Sequence, residues 1–342
     1  MKNYYFFFFT FFIVVSCSRQ VDNSLISNVF MNQFGEVLEL EGKKVALDTV
    51  WRPNRIYCSD SVLFIVDKTT DRFVTAYDIY DCRRLSSNLR MGNGPNELLS
   101  CWTLQIDKNT NCINVLDVMS KKINKYNYRD FISKSDVAPL SSTSFTDIPV
   151  YLIQNSRGAF ISSVLSDNNS MLTVCDSNGN RTNFECAYPT IYSSVFQSER
   201  ENKLCYQCRV FYNEIQHRVI VTYDYWDMID IYDDDLNLLH RIRGPYMLEP
   251  EMVGDGTTYY PSDETPFSFE SCSLTSDRIF VLYNGTLDDE FFDTVLSFDY
   301  DGVPKGYYHL DVPVLDICVH EGSRMIYGLA DNPECCVMKY EY

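Results

Sequence analysis

Beyond its first residues the chain has no apolar run approaching the ~20 residues that cross a bilayer as a helix, and no helical periodicity of any length. Positive charge is scarce: 29 Lys and Arg stand against 47 Asp and Glu, a net charge of −18. That balance argues against nucleic acid as a partner, because phosphate recognition needs clusters of Lys and Arg. Histidine is rarer still, and the four present (His217, His240, His309 and His320) are scattered, none beside a Ser or Cys in a nucleophile motif. No catalytic residue is therefore assigned. Cys205-Tyr206-Gln207-Cys208 is a lone C-x-x-C pair, whereas a structural zinc needs four ligands; buried thiols or a disulfide are expected there instead. The acidic runs Asp233-Asp234-Asp235 and Asp288-Asp289-Glu290 do not have EF-hand spacing. No metal site is expected, and calcium is the one cofactor these acidic loops leave open.

What the chain does have begins at its N-terminus. Lys2 precedes an almost unbroken apolar run from Tyr4 to Val15, the length of a signal-peptide core and too short for a membrane span. The run ends in Val14-Val15-Ser16-Cys17, which resembles the lipobox of bacterial lipoproteins. The resemblance implies cleavage before Cys17, lipidation of its thiol and attachment to a membrane, each buried methylene adding ~0.8 kcal/mol. It divides the chain into a signal peptide (1–16), a lipid-anchored linker (17–34) and a folded region (35–342). Ser18, where an inner-membrane retention signal would have Asp, and the lack of an acidic cluster after Cys17 imply an outer-membrane lipoprotein facing the periplasm. Lipidation would leave twelve of the 13 cysteines in a compartment that allows disulfides. Several of them, such as Cys112, Cys175, Cys272 and Cys318, lie in strand-like alternation where a thiol acts as a small apolar side chain. At most one or two disulfides are expected.

Aromatics make up 15% of the sequence, with 25 tyrosines, a composition suited to strands. Six times the chain repeats a short apolar run, a polar turn and an alternating run that ends in a large residue before an acid or amide. Leu63, Ile113, Phe160, Val219, Ile279 and Met325 mark equivalent places, 46 to 60 residues apart. Such a unit accommodates four strands and their turns, the size of a propeller blade. The expected fold is all-β: a six-bladed β-propeller with four-stranded antiparallel blades. Asp176-Ser177-Asn178-Gly179 and Asp299-Tyr300-Asp301-Gly302 fall where a third strand reverses into a fourth. The sixth unit runs out after three strands, and Glu36-Val37-Leu38-Glu39-Leu40 lies before the first. The last blade is thus expected to be closed by this N-terminal strand, leaving no open edge.

One segment stands outside the repeat, Arg90-Met91-Gly92-Asn93-Gly94-Pro95-Asn96-Glu97-Leu98. It resembles the Gly-x-Gly-Pro-Gly-Glu-hydrophobic signature of bacterial lipoproteins with six-bladed, TolB-like propellers. Asn96 replaces the third glycine and tolerates the same left-handed backbone. The resemblance implies the fold and little about activity. Physically, Gly92, Gly94 and Pro95 suit a tight link from blade one to blade two, and Glu97 can fasten it by accepting backbone amides. Arg241-Ile242-Arg243-Gly244-Pro245 is a weaker echo after blade four.

In propellers the links between blades share one face with the second-to-third-strand loops, and ligands commonly bind there. The longest such link runs from Gly244 to Pro266, and structureless loops of that length are often functional. Candidate ligand-binding residues are Tyr225, Trp226, Asp227, Glu249, Glu251, Asp255, Tyr259 and Tyr260. The function expected is a non-catalytic binding or scaffold lipoprotein for a glycan, peptide or protein ligand. The alternative is a metal-dependent hydrolase or lyase resembling lactonase-type propellers, which requires several carboxylates or amides converging on the channel.

Overall fold

The computed structural model describes residues 23–47, 50–68, 71–164, 170–184, 186–189, 204–254, 259–287, 292–331 and 334–342. Six antiparallel sheets form a ring, each a blade. Blade one, Pro53–Cys58, Val62–Asp67, Arg72–Asp78 and Arg84–Arg90, shows the plan. Its second strand is buried at every position, as is Cys112–Asp117 in blade two, because each is pressed between two neighbouring blades. Strands covered on both faces read as continuous apolar runs, which is why the second strand carries the repeat so clearly in sequence. Six apolar clusters fill the described interior, one at each interface between successive blades.

Turns follow the chemistry of their first residue. Asp176, Asp233 and Asp299 each accept two backbone amides with Oδ1, at 2.8–3.0 Å, as the third strand ends. The left-handed position that follows is Gly179 or Gly302 in two of these turns and Leu236 in the third. Blade two inserts a short helix, Tyr128–Ser133, between its third and fourth strands, capped by Asn127 and burying Phe131. Blade three has three strands among the described residues, Pro149–Gln154, Phe160–Val164 and Thr173–Cys175, so the expected fourth is reduced to a single bridge from Cys175 to Arg181.

An N-terminal strand closes the last blade as expected, but it comes from a different segment than 36–40. Val37–Leu40 does not complete the last blade; it pairs in parallel with the outer strand of blade five, Pro304–Val314, aligning Val37 with Tyr307. The strand that completes blade six is Lys43–Lys44, antiparallel to Cys336–Glu341. Ile26–Asn28 lies parallel to the outer strand of blade four, Leu238–Arg243. The N-terminal segment is therefore a strap across three successive blades. Val29 and Phe34 sink into the four–five interface, Leu40 into the five–six interface and Val45 into the six–one interface. The hydrophobic residues of 36–40 found a partner with a free outer edge, and blade five offers a longer one than blade six.

Candidate functional site at the channel mouth

The six inner strands, Pro53–Cys58, Thr103–Asp107, Pro149–Gln154, Cys208–Asn213, Phe267–Leu274 and Asp316–His320, line a central channel with about 220 Å³ of free space. Four of them bring Arg55, Tyr151, Arg209 and Glu270 together near the ends at which the inner strands begin, the face that carries the inter-blade links. Arg209 lies between two carboxylates. Its Nε donates to Asp224 Oδ1 at 3.1 Å, and Nη1 and Nη2 donate to Glu270 Oε1 and Oε2, each at 2.6 Å. Its guanidinium also stands 5.5 Å from the centre of the Tyr151 ring. Arg55 donates to the Tyr151 hydroxyl at 3.1 Å and to Glu270 Oε1 at 3.3 Å. Asp316 Oδ2 accepts the Ile56 amide at 2.8 Å, and its Oδ1 accepts from the Ser271 hydroxyl.

Burial and charge oppose each other throughout. Burial is the largest influence and works against both guanidinium charges, but Asp316 beside Arg55 and Asp224 beside Arg209, together with Tyr151 and Glu270, outweigh it and hold both arginines above their ordinary range. Burial pushes the carboxyls of Asp224 and Asp316 up, with the same arginines pulling them back. Arg55 and Glu270 keep 18% and 22% of their side chains exposed, against 10% for Arg209, so these two present the network to the channel. A ligand here meets a planar donor, an acceptor and an aromatic hydroxyl, all held in place by neighbours.

The arrangement does not fit a channel metal. Both oxygens of Glu270, Asp316 and Asp224 already accept hydrogen bonds from protein donors, Asp224 Oδ2 from Gln207 at 2.7 Å. A calcium ion would have to displace Arg209 from Asp224 and Glu270, and the Ile56 amide and Ser271 hydroxyl from Asp316. Among the described residues no group of three or more His, Cys, Asp or Glu side chains is placed to hold a metal. Of the acidic runs, Asp233 closes its turn, Asp234 accepts from Ser156 at 2.7 Å and Asp235 pairs with Arg157.

The residues singled out in the sequence are dispersed. Trp226 and Asp227 are each only 2% exposed and lie in the interior rather than on the open face. The Trp226 ring stacks on Tyr206 at 5.2 Å, and its Nε1 donates to the Cys205 carbonyl at 3.1 Å. Asp227 gathers the Tyr246 amide at 2.9 Å, the Leu248 amide at 3.2 Å, the Ser268 hydroxyl at 2.9 Å and the Tyr283 hydroxyl at 3.0 Å. It thereby ties the long link down on blades four and five, which is why both residues lie beneath that link. Tyr225 is half-buried, 5.4 Å from Phe267. Glu249 pairs with Arg243 at 3.0 Å, and the exposed Glu251 uses its backbone to close the link, its carbonyl accepting from Ser262 at 2.7 Å and Thr265 at 2.9 Å. Within the link, Met252–Gly254 pairs with Tyr259–Pro261 as a hairpin that leaves Tyr260 exposed. Asp255 and Cys17 lie outside the described residues.

The Gly-rich segment is a closed turn. Glu97 Oε2 accepts the Gly94 amide at 2.7 Å, and Asn96 has φ 68°. A Cβ on Gly92 would stand 2.1 Å from the same carboxylate oxygen. In the echo after blade four, a Cβ on Gly244 would stand 1.8 Å from the Val29 carbonyl of the strap. Cys205 and Cys208 are free, buried thiols.

The channel residues were missed in the sequence because the repeat was aligned on second and third strands alone. The available signal was a cation inside an alternating apolar strand, in Arg55-Ile56-Tyr57 and again in Arg209-Val210-Phe211.

The ring is similar to several solved structures. A Bacteroides fragilis protein described as exported shares 13% identity over 92% of this chain and 98% of its own, with a TM-score of 0.54. A DUF4221-family protein from Bacteroides vulgatus shares 12% identity over 89% of this chain and 98% of its own, with a TM-score of 0.55. The Swd1 propeller domain of a Myceliophthora species shares 6% over 88% of this chain and all of its own, with a TM-score of 0.52. At these identities the likeness speaks for the fold alone, and no curated protein matches the chain. The description of the TolB-like six-bladed propeller family does match, over residues 34–322, and with the ring and its Gly-rich link in view the chain belongs to that family.

Proposed function

We propose that this protein is a non-catalytic binding propeller of the cell envelope, held to the outer membrane from the periplasmic side by a lipid on Cys17. Its ligand is a glycan or peptide that puts one polar group into the channel mouth. The observation that carries this reading is the convergence of Arg55, Tyr151, Arg209 and Glu270 from four blades on one opening. Donors and acceptors held by neighbouring side chains bind without the ordering cost that flexible ones incur. A channel of about 220 Å³ suits a single sugar ring or amino-acid side chain rather than a whole chain end, and the rest of the ligand would lie over the links. There Tyr246 and Tyr260 are 59% and 55% exposed and offer aromatic surface. The Bacteroides fragilis relative described as exported, together with the apolar leader ending at Cys17, supports the extracytoplasmic setting. The metal-dependent hydrolase reading lacks a carboxylate cage, since Arg209 occupies Asp224 and Glu270, and the Ile56 amide and Ser271 hydroxyl occupy Asp316.

A thermal-shift screen of the protein against glycans and peptides, with calcium and with EDTA, tests this. A ligand at a hundredfold excess over Kd stabilises the fold by ~2.7 kcal/mol. That shift is expected to be insensitive to EDTA and abolished in Arg55→Gln. A calcium-dependent shift, or a ligand shift unchanged in Arg55→Gln, would overturn the proposal.

A further inference from the structure

The ring closes on a short strand. Lys43–Lys44 aligns only Lys44 with Met338 and Lys43 with Lys339, and the Val45 amide adds one bond to Val337 at 2.8 Å. Across the same seam the inner strands of blades one and six lie side by side, with the Ile56 amide on Asp316 Oδ2 at 2.8 Å. Two residues further along each strand, and therefore on the same side of each pleat as Ile56 and Asp316, stand Cys58 and Cys318. Both are free thiols, both line the channel, and both pack in the apolar cluster of the six–one interface. Burial raises the Cys318 thiol well above its ordinary pKa, and its hydrogen-bond contact with Cys58 raises it further.

We propose that Cys58 and Cys318 form a disulfide that clasps blade one to blade six when the protein meets a disulfide oxidant. The balance is that of thiol–disulfide exchange. The half-buried Cys58, as thiolate, attacks one sulfur of the donor disulfide and expels the other as a thiolate. Cys318, only 4% exposed, then attacks Cys58 Sγ, passes its proton to solvent and expels the second donor thiolate. Two protein thiols are oxidised and one donor disulfide is reduced to two thiols, with no other redox partner. Joining residues so far apart in sequence is where a crosslink restrains the unfolded chain most. The inference stands apart from the ligand reading, because the oxidant is supplied in the test.

The test uses the full chain, reduced, then incubated with oxidised glutathione, acid-quenched, alkylated in denaturant and mapped by mass spectrometry. One linked peptide joining Cys58 to Cys318 is expected, with Tm raised by roughly 5–10 °C over the reduced protein. Cys318→Ala should stop at a mixed glutathione disulfide on Cys58. The comparison of oxidised with reduced wild type needs no variant and stands if Cys318→Ala folds poorly. Full alkylation of both cysteines after oxidation of the folded protein would overturn the proposal. So would a link from Cys58 to Cys82, which packs against the same cluster.

Discussion

Replacing Asp227 by Ala separates two roles that the sequence could not distinguish. A ligand contact would lose binding and keep its Tm; an interior anchor would do the reverse. Four donors meet on this carboxylate: the amides of Tyr246 and Leu248 and the hydroxyls of Ser268 and Tyr283. A hydrogen bond to a charged group contributes about 1.5–3 kcal/mol net. Tyr246 is 59% exposed, so its amide can turn to water, whereas Ser268 and Tyr283, at 0% and 2%, cannot. Two to three stranded donors would cost about 3–9 kcal/mol by that measure. Against this stands the desolvation of the carboxylate itself, which burial has already pushed up in pKa and which the Ala variant no longer carries. The net loss is expected at about 3 kcal/mol, or roughly 4–6 °C in Tm for a domain of this size. Thermal melting beside urea unfolding measures it, and hydrogen exchange should show the link at 244–248 opening first. A Tm within about 1 °C of wild type would refute the reasoning.

Gly244→Ala places a Cβ against the Val29 carbonyl at a φ of 128°, so a loss above about 2 kcal/mol is expected in chemical unfolding, with the strap becoming protease-sensitive. Glu97→Ala removes the acceptor for the Gly94 amide in a half-buried turn; it should cost about 1 kcal/mol in urea unfolding and leave any ligand shift intact. His309 bonds Glu39 of the strap at 2.5 Å, and that bond raises its pKa in the folded state. The stabilisation is therefore full below the unfolded histidine pKa of about 6.5 and lost as pH rises through the higher folded value. Both partners are well exposed, so screening keeps the gain under about 1 kcal/mol; the Tm difference between wild type and His309→Asn should shrink from pH 6 to pH 9, on the order of these bounds.

The parts of the fold that were legible are those whose environment is the same at every copy. Val62–Asp67 and Cys112–Asp117 are pressed between blades on both faces, so burial wrote the repeat directly into their composition. Edge pairing was not legible in this way. Val37–Leu40 has strand character but carries no mark of which outer edge receives it, and Lys43–Lys44, which closes the ring, is two exposed lysines with no apolar signal. The placement of the candidate residues was not legible for a related reason. Trp226 and Asp227 look like loop residues in sequence and are interior only because a later link folds over them. Arg55 and Arg209 look like ordinary polar positions until four inner strands converge on one axis.

The strap sets the order in which the ring can form. The Gly42 amide reaches Asp311 across 269 residues of sequence, and the partners of Ile26–Asn28, Val37–Leu40 and Lys43–Lys44 are all in the last three blades. A chain emerging N-terminus first must hold its opening segment unpaired until blade four exists, and its closing strand Lys43–Lys44 until blade six does. Contacts of such long range make assembly slow, since loop-closure entropy precedes any reward. A product truncated within blade six would keep the strap's pairings to blades four and five but leave the ring unclosed, with the edge that Lys43–Lys44 covers missing its partner, a substrate for proteases or for edge-to-edge association. Closure of the ring, rather than the folding of any one blade, is the event that pairs the last of these edges.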